Sequence, residues 1–254
     1  MTRVIAVTNQ KGGVGKTTTA VNLAACIAQA GIDVLLIDMD PQANATAGLG
    51  CRAPDARLSS YGVLGAAAGV AEATLRTSVE HLSLLPACPD LAGAVVELAA
   101  AHGSEYVLDF ALTARLDSYD FVFIDCPPSL GVLTVNALVA AREVLIPVQS
   151  EYYALEGLAQ LLDTIARVQG YLNHELRILG VVVTMYDGRT RLGREVAGDV
   201  REHLGEYVFD TVVPRNVRLS EAPGHGLPIS SYDANCAGSD AYFDLAKEVV
   251  SRDG

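Results

Sequence analysis

The sequence predicts an α/β fold, a doubly wound and mostly parallel sheet with helices on both faces. Three observations point there. Short apolar, β-branched runs recur along the chain, with helix-like stretches between most of them. These runs lack polar alternation, which is the pattern of strands covered on both sides. The first run, Val4-Ile5-Ala6-Val7, leads into a glycine- and lysine-rich turn and then a helix pattern, the strand-turn-helix order that places an anion at a helix start.

Taken in order, the runs are Val4–Val7, Val34–Ile37, Phe121–Ile124, Val144–Val148, Ile178–Val183 and Val208–Val213, with Gly, Pro, Asp and Asn among the residues that separate them. The stretch from Arg52 to Gly103 is rich in Ala, Gly and Leu, and reads as helices with one further strand, His81–Leu85. The tail Ala241–Ser251 reads as a closing helix. No repeat, low-complexity tract or Pro/Ser-rich linker divides the chain, so a single domain spanning 1–254 is expected.

A chain of 254 residues with 50% hydrophobic content can bury one large core. No apolar run approaches the roughly 20 residues of a bilayer crossing. The N-terminus passes straight into the first strand, so a cleaved leader is not expected and the chain should stay in the cytoplasm. Five cysteines, at 26, 51, 88, 126 and 236, form no CxxC pair and fit reduced thiols. The net charge of −12 argues against a generally basic nucleic-acid binder. Local distribution tells more: Arg189, Arg191, Arg194, Arg201, Arg215 and Arg218 hold one third of the 18 basic residues.

The run Lys11-Gly12-Gly13-Val14-Gly15-Lys16-Thr17 specifies a phosphate cradle, with Thr18 continuing into the helix. Its glycines let the backbone approach an anion without Cβ interference, Lys16 supplies charge to the outer phosphates and Thr17 offers a hydroxyl to Mg²⁺. A plain P-loop would carry its first glycine five residues before Gly15, where this chain has Gln10, and a second lysine, Lys11, follows it. The expected ligand is a nucleoside triphosphate with magnesium.

Two carboxylates close the second strand in Asp38-Met39-Asp40-Pro41, and on extended backbone both can face one side. One can hold the magnesium's water shell while the other orients or deprotonates the attacking water. Phe121-Val122-Phe123-Ile124-Asp125 has the Walker B form, an apolar strand delivering Asp125 toward Mg²⁺, followed by Cys126-Pro127-Pro128 as a stiff sensing loop. Met185 at the end of one strand, and Pro214 and Asn216 after the last, could wall a base and ribose. The absence of an Asn-Lys-x-Asp guanine reader favours ATP.

With these residues assembled, the chain resembles the ParA/Soj-type chromosome or plasmid partition ATPases, in the deviant Walker A group that also contains MinD. The resemblance runs through 11–19, 38–44, 124–130, 149–157 (QSEYYALEG) and 214–223 (PRNVRLSEAP). It implies an ATP-dependent sandwich homodimer in which Lys11 reaches the partner's nucleotide and Asp40 serves hydrolysis. It further implies binding of double-stranded DNA without sequence preference, stimulation by a ParB/Spo0J-type protein, and a nucleoid-associated location. In a dimer, two copies of Arg189, Arg215 and Arg218 would share one surface; pairing with Asp187, Glu195 and Glu202 is the alternative for exposed arginines there.

The chain departs from the family's pattern mainly at Leu91–Leu98, where an alanine run follows in place of an acidic-basic helix. No helix-turn-helix extension precedes the first strand, so sequence-specific operator binding is not expected. The tail around Lys247–Arg252 lacks the basic amphipathic helix of MinD-like members, so membrane binding is not expected. The alternatives are a MinD-like membrane positioning ATPase, a small-molecule ligase or kinase on the same chassis, and an iron-protein-like reductase using Cys88 and Cys126.

Overall fold

The computed structural model describes residues 2–99, 102–113, 116–151 and 154–252. Tyr152 and Tyr153 of the QSEYYALEG block, and Ala100 and Ala101 of the alanine run, lie outside them. The strands are β1 (Arg3–Val7), β2 (Val34–Asp38), β3 (Leu75–Arg76), β4 (Leu82–Leu85), β5 (Phe121–Asp125), β6 (Glu143–Gln149), β7 (Arg177–Tyr186) and β8 (Val208–Pro214). They form one eight-stranded sheet in the order β3-β4-β2-β5-β1-β6-β7-β8. Among the described residues every pairing is parallel except that of β3 with β4.

Both faces of the sheet are covered, which explains the unbroken apolar runs. Val4, Ala6, Leu35, Ile37, Val122 and Ile124 point into one core. Their alternates Ile5, Val7, Leu36, Phe121 and Phe123 point into the other. On the second side the helices Lys16–Ala28 and Ala237–Ser251 pack together, with Tyr242, Leu245 and Val249 of the latter fully buried or nearly so. Register then fixes the functional edge: Val7 pairs with Asp125, and Asp125 pairs with Asp38, so two carboxylates end neighbouring strands at one level. That edge is the carboxyl end of a parallel sheet, where such folds receive ligands.

Three details differ from the sequence expectation. The strand expected over His81–Leu85 starts at Leu82, because His81 takes φ 62 and a left-handed residue cannot continue an extended ladder. Its Nδ1 lies 2.9 Å from Asp33 Oδ1 instead. The two-residue β3, too short for any periodicity to announce, adds an antiparallel edge. The closing helix begins at Ala237, four residues before the expected Ala241, where Gly238 lets Leu219 pack so closely that an added Cβ would sit 2.8 Å from its Cγ.

At the opposite edge of the sheet, Glu143 is 1% exposed and held by Arg3, whose Nε and Nη2 donate to its two oxygens at 2.8 and 3.0 Å. Arg3 also donates to Val249 O at 2.7 Å, tying the first strand to the last helix. Arg3→Ala leaves a buried carboxylate facing the more distant Arg177, 3.5 Å away. The expected cost is about 3 kcal/mol, measured as a lower urea midpoint at unchanged m.

Candidate functional site

The turn after β1 is braced before it meets any ligand. Asn9 Nδ2 donates to Pro147 O at 2.7 Å while its Oδ1 accepts from Lys11 N at 3.0 Å. Farther along, Thr184 Oγ1 donates to Val14 O at 2.7 Å, pinning the loop to β7. Gly13 and Gly15 take φ 76 and 88, which only glycine adopts without strain, and Gly15 opens the helix Lys16–Ala28. The Val14 side chain is buried, so what it can offer a phosphate is its backbone N–H.

The two lysines of this loop occupy different environments. Lys16 is 6% exposed, and its Nζ donates to Lys11 O at 3.0 Å. Burial pulls its ammonium below the ordinary value, opposed chiefly by the Asp125 carboxylate. Lys11 stands on the rim with its side chain 35% exposed, 3.0 Å from Glu151 Oε2.

The neighbouring carboxylates divide the work differently from the sequence expectation, in which Asp38 and Asp40 share one side. Asp38 Oδ1 accepts from Asp40 N at 3.1 Å, and Oδ2 accepts from Thr46 N and Thr46 Oγ1 at 2.8 and 2.7 Å. It is a clasp that holds the loop, and burial pushes its carboxyl up to about 6. Asp40 lines the phosphate cleft. Its Oδ1 accepts from Gln42 N at 2.9 Å, which fixes the carboxylate plane and leaves Oδ2 for solvent or substrate.

Asp125 is fully buried, and among the described residues neither of its oxygens has a hydrogen bond of ordinary geometry, the Thr17 hydroxyl being the group close enough to act on it. Burial first and Asp38 second push its carboxyl well above the ordinary value, with the Thr17 hydroxyl and then Lys16 opposing. An orphaned carboxylate behind the phosphate loop, with the Thr17 hydroxyl nearby on the cleft wall, fits a hard cation with a water shell. Thr17, Asp40 and Asp125 are thus the residues suited to hold Mg²⁺.

A cleft of about 370 Å³ is lined by Gly12, Gly13, Gly15, Lys16, Thr17, Thr18, Asp40 and Met185. It shares Gly15, Thr18 and Met185 with a second cleft of about 220 Å³ walled by Pro214, Arg215 and Asn216. Met185 takes φ 50, an unusual conformation for a long side chain, and its carbonyl accepts from Ser150 Oγ at 3.3 Å. Asn216 Oδ1 caps the helix Val217–Glu221 by accepting from Arg218 N at 2.8 Å, so its amide group is the part left to read a base. The two clefts together have the sequence of surfaces a nucleotide needs: anionic cradle, then apolar wall with one amide.

Of the arginines, Arg189 is 90% exposed but paired with Asp187 at 2.8 Å, and Arg191 pairs with Glu195. Arg218 lies between Glu221 and Asp233, at 2.9 and 3.3 Å. Arg215 lines the base cleft and has no ion pair among the described residues. Cys88 and Cys126 are both buried, Cys126 completely, which removes the exposed thiols that a cluster shared between subunits requires. Sequence reasoning gave no holding role to Thr46, Thr184 or Glu151, which fasten Asp38, the phosphate loop and Lys11.

A protein-family model described as an AAA domain matches residues 2–178. The sporulation initiation inhibitor protein Soj of Bacillus subtilis is 53% identical over 251 residues, 99% of this chain and 99% of its own. The chromosome partitioning protein ParA of Caulobacter vibrioides is 53% identical over 99% of this chain and 95% of its own. The chain belongs to the ParA/Soj family of chromosome-partitioning ATPases. Two solved structures extend the likeness to the fold. One is described as cobyrinic acid a,c-diamide synthase from Mycobacterium smegmatis with bound ATP analog and magnesium; it superposes with TM-score 0.84 at 41% identity, over 97% of this chain and 93% of that one. The Pyrococcus furiosus cell division ATPase MinD superposes with TM-score 0.82 at 28% identity, over 98% and 99%. Membership of the ParA/Soj family makes the chain a P-loop ATPase.

Proposed function

We propose that this ParA/Soj-type ATPase acts as one domain over 1–254, pairs two protomers on MgATP, binds double-stranded DNA without sequence preference and hydrolyses slowly until a ParB/Spo0J-type partner speeds it. The observation that carries this reading is the contrast between its two loop lysines, one buried beside Asp125 and one on the rim. Lys16 neutralises the β- and γ-phosphates of its own nucleotide, with the backbone of 12–18 cradling them. Lys11 serves the nucleotide of the second protomer, so the site is complete only in a pair.

Thr17, Asp125 and Asp40 would hold Mg²⁺, which would spread the charge that develops between the β- and γ-phosphates. Asp40 orients the attacking water and accepts its proton as the new O–P bond forms and the bond from the γ-phosphorus to the β-bridging oxygen breaks, leaving ADP and phosphate. The adenine rests between Met185 and Pro214, with the Asn216 amide on its edge. Dimerisation doubles the set of Arg189, Arg215 and Arg218 presented to DNA, and affinity rises steeply with the number of phosphates neutralised. A location in the cytoplasm on the nucleoid follows from that binding.

The MinD-like alternative needs an amphipathic helix free to lie on lipid. The last helix described, Ala237–Ser251, has Tyr242, Leu245 and Val249 in the core, so this helix is not free to serve that way. The deciding experiment measures retention on duplex DNA and mass in solution with ADP, ATP and a non-hydrolysable analogue. Retention and a doubled mass are expected only with the triphosphates. Arg218→Glu, which also meets Glu221 and Asp233 as like charges, is expected to keep the doubled mass and lose at least about ten-fold in DNA affinity at roughly 0.1 M salt. Liposome co-sedimentation without DNA retention would overturn the proposal, and so would ATP-dependent amide formation on a small carboxylic acid.

A further inference from the structure

Lys11 is engaged within its own protomer. Its Nζ meets Glu151 Oε2 at 3.0 Å, and Gln149 Nε2 donates to Glu151 Oε1 at 2.6 Å, so the carboxylate is aimed from both sides. The turn that carries Glu151 is itself fastened. Glu151 N donates to Gln149 O at 2.8 Å, Ser150 N to Thr184 O at 3.2 Å, and Ser150 Oγ to Met185 O at 3.3 Å. Met185 and Thr184 belong to the nucleotide cleft, so the carboxylate is mounted on the same framework as the phosphate site.

A lysine held in this way cannot reach a second protomer without giving up the pair. We propose that Glu151 is a positioning residue that keeps Lys11 on its own protomer, and thereby sets the protein concentration at which MgATP joins two protomers. This rests on the reading that Lys11 acts across the interface. The strength suits the task. Both side chains are partly exposed, 35% and 46%, and such pairs contribute little enough for a stronger anion to displace them. One carboxylate charge competes with the several charges of a triphosphate, so the lysine transfers when the partner carries ATP and returns as the phosphate charge is lost. The gain is selectivity: chance encounters between protomers without triphosphate meet a lysine already satisfied.

Glu151→Gln removes the charge and keeps the shape, while Gln149→Ala leaves the charge and removes its orientation. With MgATP, the dimer dissociation constant by analytical ultracentrifugation is expected to fall about ten-fold for Glu151→Gln, about three-fold for each of two pairs released. Gln149→Ala should fall less, in the same direction. The protein concentration giving half-maximal ATPase should move down in step, and modification of the Lys11 amine by an acylating reagent, read by mass spectrometry of the nucleotide-free chain, should speed up. In a Lys11→Ala background the Glu151→Gln effect should vanish, which a merely structural role of Glu151 would not produce. If wild type dimerises on ATP but Glu151→Gln dimerises no more readily, or less, the holding role is overturned and the trans reading of Lys11 survives. If wild type stays monomeric with every adenine nucleotide, or Lys11→Ala dimerises and hydrolyses as wild type does, the trans reading falls and the positioning role falls with it.

Discussion

Lys16→Ala is expected to lose MgATP affinity by at least two orders of magnitude, measured by calorimetric titration, while the protein stays folded. The site is nearly closed to solvent at this residue, and among the described residues its ammonium is the only lysine or arginine charge inside the cluster formed by Asp38, Asp40 and Asp125. A charge-assisted bond to a phosphate is worth about 2 kcal/mol, and in a buried site the lost cation also leaves its anionic neighbours uncompensated. Stability without nucleotide responds differently. Burial already works against the charged lysine, so deleting it removes a desolvation cost along with an attraction, and the carboxyls of Asp125 and Asp38 can answer by holding protons. A variant that binds MgATP within three-fold of wild type would remove Lys16 from the phosphate site.

The sheet was legible because its strands are covered twice. Val4-Ile5-Ala6-Val7 and Phe121-Val122-Phe123-Ile124 read as buried from either side, and each side has its own core. Asp125 was legible for the same reason: a carboxylate ending such a run has no solvent to justify it. The phosphate loop was legible because its residues are consecutive. What stayed hidden depends on contacts remote in sequence. Glu151 meets Lys11 across 140 positions, and Thr184 reaches Val14 across 170. Asp38 and Asp40 have the same chemistry two residues apart, and only Thr46, turned back over the loop, decides that one holds backbone while the other faces the cleft. The arginine cluster was visible as composition, and the partner of Arg189 was visible beside it as Asp187, but Asp233 beside Arg218 was not.

That division of roles makes Asp40→Ala the sharper test of mechanism. Turnover is expected to fall about 10²- to 10³-fold, the range lost when a positioned proton acceptor is removed, while MgATP affinity stays within a few-fold because Lys16, the loop amides and Asp125 remain. Binding without hydrolysis should then accumulate the ATP-joined pair, seen as a doubled mass that persists through a chase with ADP. The backbone has reason to tolerate the change. Asp40 N still donates to Asp38 Oδ1, and Ala43 N still donates to the carbonyl of residue 40, so only the bond from Gln42 N to the side chain is lost. Asp38→Ala, two residues away, should behave in the opposite manner. It strips three hydrogen bonds from a buried loop and should lower the unfolding temperature before any rate is compared. If Asp40→Ala hydrolyses ATP at the wild-type rate, the proton must leave by another route and the cleft-facing carboxylate is not the base. If it fails to bind ATP at all, its main service is to the metal, and the assignment of water activation to Asp40 has to be withdrawn.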